Sequence, residues 1–319
     1  MKSFQTLYNE ISTKTGEDSA AQLSTFKSDI VSTDALVLSE YRWPFLETIK
    51  TFTTVPAQNN YNIANSLQRV TSVVCIVGSV QYRPKAVESV KMWEYLQSLR
   101  VATSSNVTQF FFRQGNQILL WPTPQSAFIV NVRGRKATRA LSLDDYTTGT
   151  ITTATNGATG IVASGTSWGA GSIGNFIRIN YTAGDFNWYE IGSITSTTGL
   201  SLVDNYEGTS IVGGSASYTI GEFSNIPGEF HDLLVSRPMA LYYQSIENEA
   251  MAKAWWMRYD GGKEAGLIRD DQFAGGMYGQ MIDRYSESFE GVWMEEQQPK
   301  DPSTADLLIK NFGYSGEGW

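Results

Sequence analysis

Histidine and cysteine are almost missing from this 319-residue chain, which has one of each. With His231 alone, most nucleophile–base constellations are out of reach, since a Ser-His-Asp arrangement would have to be built around it. It stands in Phe230-His231-Asp232 at the start of an expected helix, where capping or packing is the ordinary role. Cys75 alone allows no disulfide framework and no cysteine-based zinc site within one chain. It lies in the apolar run 73–77 and reads as a small buried residue. Phosphate-cradling glycine motifs are lacking as well; Gly213-Gly214 and Gly275-Gly276 read as turn glycines. The carboxylate pairs Asp144-Asp145, Asp270-Asp271 and Glu295-Glu296 are sequence neighbours, which point in different directions on a helix or strand. Asp204, Asn205 and Glu207 form the nearest oxygen cluster for calcium, but their spacing matches no EF-hand loop and reads as a turn. No apolar stretch approaches a membrane span and no apolar signal core opens the chain, so a soluble, reducing compartment is expected. These absences lead us to expect no enzyme, no cofactor and no metal.

Positive charge is also scarce. A net charge of −8 argues against a primary nucleic-acid binder, which needs a basic footprint to displace counterions from phosphate. One local exception is Arg133, Arg135, Lys136 and Arg139. This cluster reads as a solvated strand end, with contact to an acidic partner or to passing DNA as the sharper alternative. Aromatic residues, by contrast, are abundant. Sixteen Tyr and nine Trp supply the large amphipathic rings that serve both cores and protein interfaces.

The fold class expected is α+β: a helical framework with antiparallel strands, interrupted by a small all-β barrel or sandwich. Phe4, Leu7, Tyr8 and Ile11 make one face of a first helix, which Gly16 can end. Asp18 or Ser19 can cap a second, whose stripe of Leu23, Phe26, Ile30 and Val37 runs to about Glu40. Strand patterns follow at 51–55, 70–77, 109–112, 118–121 and 128–132, with a hairpin turn at Gln114-Gly115-Asn116 and a helix over 87–100. Composition then breaks. Residues 147–221 hold 14 of the 29 glycines, no proline, no lysine and five charged residues. Six short β patterns recur there, at 149–153, 160–163, 176–181, 188–194, 200–203 and 217–220, the grammar of a small barrel or sandwich. Helices return after Phe223, with Pro227 in a first turn and Met239, Tyr243, Ile246, Ala250, Ala254 and Met257 on one five-turn stripe kinked near Pro238. Another amphipathic stretch carries Tyr278, Ile282, Tyr285 and Phe289. The division expected is 1–141 with 223–296 as one discontinuous unit, 142–222 as an inserted β-rich unit, and 297–319 as an extended tail.

Several segments resemble the head–tail adaptor (connector) proteins of tailed bacteriophages. They are Glu40-Tyr41-Arg42-Trp43-Pro44-Phe45-Leu46-Glu47, the strand pair from Phe111 to Pro124, Leu143-Asp144-Asp145-Tyr146, Asn187-Trp188-Tyr189-Glu190-Ile191, and Ile226-Pro227-Gly228-Glu229-Phe230-His231-Asp232. The resemblance implies a structural virion protein of the neck: a homo-oligomeric ring, typically a dodecamer, between the portal and the tail or nozzle proteins. Such a ring would assemble in the host cytoplasm, line the DNA channel, meet passing double-stranded DNA transiently and touch no membrane. The tail is the expected docking arm, with Leu307, Leu308, Ile309, Phe312 and Trp319 as anchors on a neighbouring subunit or the portal. Two other functions fit the composition. Trp168, Trp188, Tyr181 and Tyr206 read first as core and rim rings of the barrel, but could stack on sugars in a carbohydrate-binding or depolymerising tail component; the chain could also be a tail-tube or tail-completion protein.

Overall fold

A computed structural model of the chain describes residues 1–63, 67–99, 107–181, 185–261 and 276–290, with side chains described as far as 285. The fold is mixed α+β, with two sheets that are antiparallel apart from one parallel pair, and a closed six-stranded barrel. Helices α1 (Phe4–Thr15) and α2 (Ala20–Glu40) form where the apolar spacing places them. Ser3 and Ser19 cap them by accepting the Thr6 and Gln22 N–H groups at 3.2 and 3.3 Å. Gly16 ends α1 in the left-handed region at φ 74°.

The strands after α2 build a sandwich. In sequence they are β1 (Glu47–Thr53), β2 (Asn60–Asn62), β3 (Leu67–Val77), β4 (Val80–Tyr82), β5 (Lys85–Val87), β6 (Phe110–Gln114), β7 (Gln117–Trp121) and β8 (Ile129–Lys136). One sheet has the order β1-β8-β3-β4 and the other β2-β7-β6-β5. Phe111, Ile118 and Leu120 face the first sheet's Val73, Cys75, Val130 and Val132. Phe112, Leu119 and Trp121, pointing the other way, pack under helix α3 (Val90–Ser98) through Trp93 and Leu96. Burial on both faces explains why β6 and β7 read as continuous apolar runs. The Cys75 thiol sits in this core, where burial pushes its pKa up to about 12 and leaves it inert.

Gly134 shows how tightly β3 and β8 approach. Their register slips between Val70 and Ser72, and a Cβ on Gly134 would lie 2.2 Å from the Arg69 carbonyl oxygen. Backbone cannot retreat as a side-chain end can. Gly134→Ala is therefore expected to cost about 2–3 kcal/mol, read from the denaturant midpoint. An unchanged midpoint would contradict this packing.

The glycine-rich middle folds into β9 (Thr150–Ala154), β10 (Gly160–Ser164), β11 (Phe176–Asn180), β12 (Trp188–Ser196), β13 (Gly199–Leu202) and β14 (Ile211–Gly221). They close in the order β10-β13-β12-β11-β14-β9, with β9 and β10 pairing to complete the barrel. Ile151, Ile161, Ile177, Ile179, Ile191 and Leu200 point inward, and the alternating neighbours face out. Gly213 and Gly214 are not turn residues. They lie inside β14 where its register with β9 shifts between Val212 and Ala216, and Gly213 takes φ 63°.

The final helices are α4 (Leu233–Ser245), α5 (Glu249–Asp260) and α6 (Met277–Glu290). Their core joins Leu7, Ile11, Phe26 and Ile30 to Leu233, Leu234, Met239 and Trp256. The single five-turn helix expected here is corrected to two. Glu247 takes a left-handed φ of 56°, and Asn248 caps α5 by accepting the Met251 N–H at 3.3 Å. Ile246 and Met257 are consequently exposed, and α5 turns Ala252, Trp256 and Tyr259 inward instead. Pro238 does not divide the helix; α4 runs through it, and the ring is buried. Pro227 precedes a short 3-10 turn, Gly228–Phe230, rather than the helix itself. Gly261 closes α5 at φ 75°. The expected tail anchors Leu307, Leu308, Ile309, Phe312 and Trp319 lie outside the described residues, as do Asp270, Asp271, Glu295 and Glu296.

Candidate assembly surfaces and the barrel junction

The densest polar chemistry lies where the barrel joins the helices. Glu222 follows β14 and its side chain is only 4% exposed. One carboxylate oxygen accepts both Nε (2.8 Å) and Nη2 of Arg139; the other accepts the backbone N–H groups of Ser142 and Leu143 at 2.5 and 2.7 Å. Nη2 of the same arginine also donates to the Asn175 Oδ1 at 2.9 Å, in the turn before β11. The backbone carbonyl of Glu222 accepts the Phe4 N–H at 2.8 Å. One residue thereby ties the chain's entry into the barrel, its exit and the start of α1 together.

Asp144 and Asp145 extend this clamp. Asp144 accepts from the Tyr8 hydroxyl at 2.9 Å and from the Lys27 ammonium at 2.8 and 2.9 Å. Burial pushes its carboxyl up, but the bonds from Lys27 and Tyr8 outweigh that and hold it below the usual carboxylate range. Asp145 accepts from the Ser3 hydroxyl at 2.9 Å, and burial holds its carboxyl high. Asp144 thus bridges α1 and α2, while Asp145 holds the capping residue of α1. Phe223 fills the space beneath, against Phe176 and Trp188 with ring centroids 5.2 and 4.7 Å apart.

Two titratable groups are sealed into the same region. His231 is fully buried; its Nδ1 accepts the Lys2 N–H at 3.0 Å and its Nε2 lies 2.9 Å from the Ile226 carbonyl. A neutral ring with the proton on Nε2 satisfies both contacts. Burial lowers its pKa to about 4, assisted by the nearby amino terminus and Lys2. Its packing role is thus visible in its bonds. Asp34, on α2, accepts from the Ser224 hydroxyl, while burial and then the Glu222 charge raise its pKa to about 6.

The basic cluster divides. Arg139 belongs to the clamp, and Arg135 donates to the Leu38 carbonyl at the end of α2. Arg133 is exposed on β8 and Lys136 at its end. The rival sugar-stacking row does not form as a surface, and the core reading holds for two of its members: Trp168 and Tyr206 are 3% and 0% exposed, inside the barrel. The Trp168 indole donates to the Tyr218 hydroxyl at 3.0 Å there. Among the described residues no group of three His, Cys, Asp or Glu could hold a metal, and no helix is long and apolar enough to cross a membrane.

A helical framework, a two-sheet sandwich and a barrel held by a structural clamp define an architecture whose polar centre serves folding. The model of the family described as SU10 adaptor protein matches residues 2–156, just under half of the chain. The resemblance to phage head–tail adaptors is borne out over that stretch, which runs from α1 through the sandwich and the clamp into β9. No curated protein matches the chain.

Proposed function

We propose that the chain is a structural virion protein that forms a ring between the portal and the tail, with passing DNA in its channel. The observation that carries this reading is the phage adaptor match over 2–156, which contains three of the five segments on which the resemblance rests. In this reading 1–141 and 223–296 act as one discontinuous adaptor unit, and 142–222 is a decoration that the clamp holds in place. The tail 297–319 docks through Leu307, Leu308, Ile309, Phe312 and Trp319 on a neighbouring subunit or the portal. The subunit is not an enzyme, and the acidic balance of the chain lets DNA slide rather than stick. Burial of Trp168 and Tyr206 leaves a carbohydrate-binding role only the half-buried Tyr181 and Trp188 of its four rings.

Chemical cross-linking of assembled particles tests the placement. Cross-links to the portal on one side and to a tail protein on the other are expected. Cross-links to distal fibre proteins alone would overturn it. Deleting 297–319 is expected to weaken portal capture at least tenfold, a loss typical of removing buried apolar anchors; unchanged capture would remove the tail from the account.

A further inference from the structure

The net charge of −8 conceals a sharp division. Residues 47–136, which span the sandwich, carry ten Lys or Arg and three Asp or Glu, a net of +7. All other residues carry fourteen Lys or Arg and 29 Asp or Glu, a net of −15. Folding leaves the sandwich's positive charge largely intact. Arg113 donates to the backbone carbonyls of Leu67, Gln68 and Gly115, and Arg135 to that of Leu38, none of which carries a net charge to cancel them.

That charge has a face. Inward side chains of the β1-β8-β3-β4 sheet are covered by the second sheet, and the alternation turns the others outward. Across the outer face the ladder sets Arg135 between Arg69 and Glu47, the one carboxylate in this ladder, Arg133 between Ile49 and Ser72, and Ile129 between Thr53 and Ile76. Arg69 and Arg133 are exposed, and Ile49 and Ile129 are 52% and 44% exposed. Arginine around half-exposed isoleucine is the composition of a protein-binding patch. A phosphate track would present cations without an apolar ridge at its centre.

The complementary patch lies at the far end of the helical framework. Tyr242 packs on Phe26 with ring centroids 5.7 Å apart and donates to Glu17 at 3.5 Å, so the end of α4 meets the turn between α1 and α2. Glu17, Asp18, Glu247 and Glu249 are all exposed there, beside Ile246 and Met251 at 51% and 40% exposure. Lys14 at this end pairs with Glu10, and Lys253, 3.6 Å from Glu249, offsets part of that carboxylate's charge, so Glu17, Asp18 and Glu247 supply most of the patch's negative charge. The sandwich meets α2 at its other end, through Arg135 and Leu38. The 21 residues of α2 thus hold the basic and acidic patches roughly 30 Å apart.

We propose that the basic outer face of the β1-β8-β3-β4 sheet binds the acidic helix-turn end, around Glu17, Asp18, Glu247 and Glu249, of a second copy of this chain. Different patches at opposite ends make the contact head-to-tail, the kind that closes into a ring when successive rotations sum to a full turn. This inference rests on the ring reading above and names the surfaces that build it. Charge complementarity selects the neighbouring copy, because the chain itself supplies the matching negative surface.

A charge swap tests it in the full-length protein, with self-association followed by sedimentation and native mass. Arg69→Glu with Arg133→Glu is expected to weaken association at least tenfold, and Glu247→Arg with Glu249→Arg to do the same. All four together are expected to restore most of it, and raised salt is expected to weaken the parent. The substituted positions are exposed, and unchanged circular dichroism spectra will show that each variant folds. Rings that form equally well in both double variants overturn this interface while leaving the ring reading intact. Loss of DNA retardation in the arginine variant with assembly unchanged assigns the face to DNA and also overturns it. A chain that stays monomeric in every variant and with portal present removes the ring reading and this inference with it.

Discussion

Glu222→Ala is expected to destabilise the protein by about 2–4 kcal/mol, mostly from the two backbone donors it strands, because Arg139 is 48% exposed and can turn to water. The size follows from what the substitution strands. Arg139 loses its carboxylate, and the backbone N–H groups of Ser142 and Leu143 lose acceptors at 2.5 and 2.7 Å. Glu222→Gln keeps the shape but offers one carbonyl oxygen to two sets of donors, so an intermediate loss of about 1–3 kcal/mol is expected. The damage should be local before it is global. Amide exchange at 142–146 should accelerate more than exchange in β11 or β12, because the clamp, not the barrel core, has been opened. A loss below about 1 kcal/mol for the alanine variant, against the expected ~2–4 kcal/mol, would show that Glu222 is not the centre of the junction.

The second large effect is a pair of opposed pH dependences. His231 has a folded pKa of about 4 against 6.5 for the free side chain, so the unfolded chain binds its proton more readily. Its contribution is full above 6.5 and is lost as pH falls through 4, amounting to about 3 kcal/mol. Asp34 behaves in reverse, with a folded pKa of about 6 against 3.8. Its proton is held more tightly in the fold, so stability declines by about 3 kcal/mol as pH rises through that window. Between pH 4 and 6 the two slopes nearly cancel. Asp34→Asn can still accept the Ser224 hydroxyl bond and should stabilise the protein at pH 7. It should also leave a stability curve that climbs with pH, by up to about 1.4 kcal/mol per unit relative to the parent. His231→Gln should leave the opposite slope. Denaturation midpoints at pH 4.5, 5.5 and 7 would read both; parallel curves for parent and variants would refute the assignment.

Much of this architecture was legible along the chain because local rules agreed with the fold. Gly16 and Ser19 are capping residues placed where α1 ends and α2 begins. All six barrel strands lie on the short β patterns between glycines, since outward and inward residues alternate in β10 and β11 and in the regular part of β14. What escaped notice depends on contacts distant in sequence. Glu222 meets Arg139 across 83 residues, and Asp34 meets Ser224 across 190, separations that no window of periodicity spans. The break between α4 and α5 was hidden because Glu247 in a left-handed conformation leaves no glycine to mark it. Trp168 and Tyr206 read as barrel-core rings or as a sugar platform, and they fill the interior, as a barrel with many glycines needs large rings to do. The division of charge was readable in the sequence, but only with the sandwich boundaries in hand does it become a property of one body.

Native mass of the purified 319-residue chain, alone and mixed with its portal, tests the central claim most directly. A closed oligomer of fixed copy number, formed alone or on the portal, is the result expected of an adaptor. A chain that remains monomeric under both conditions would contradict it.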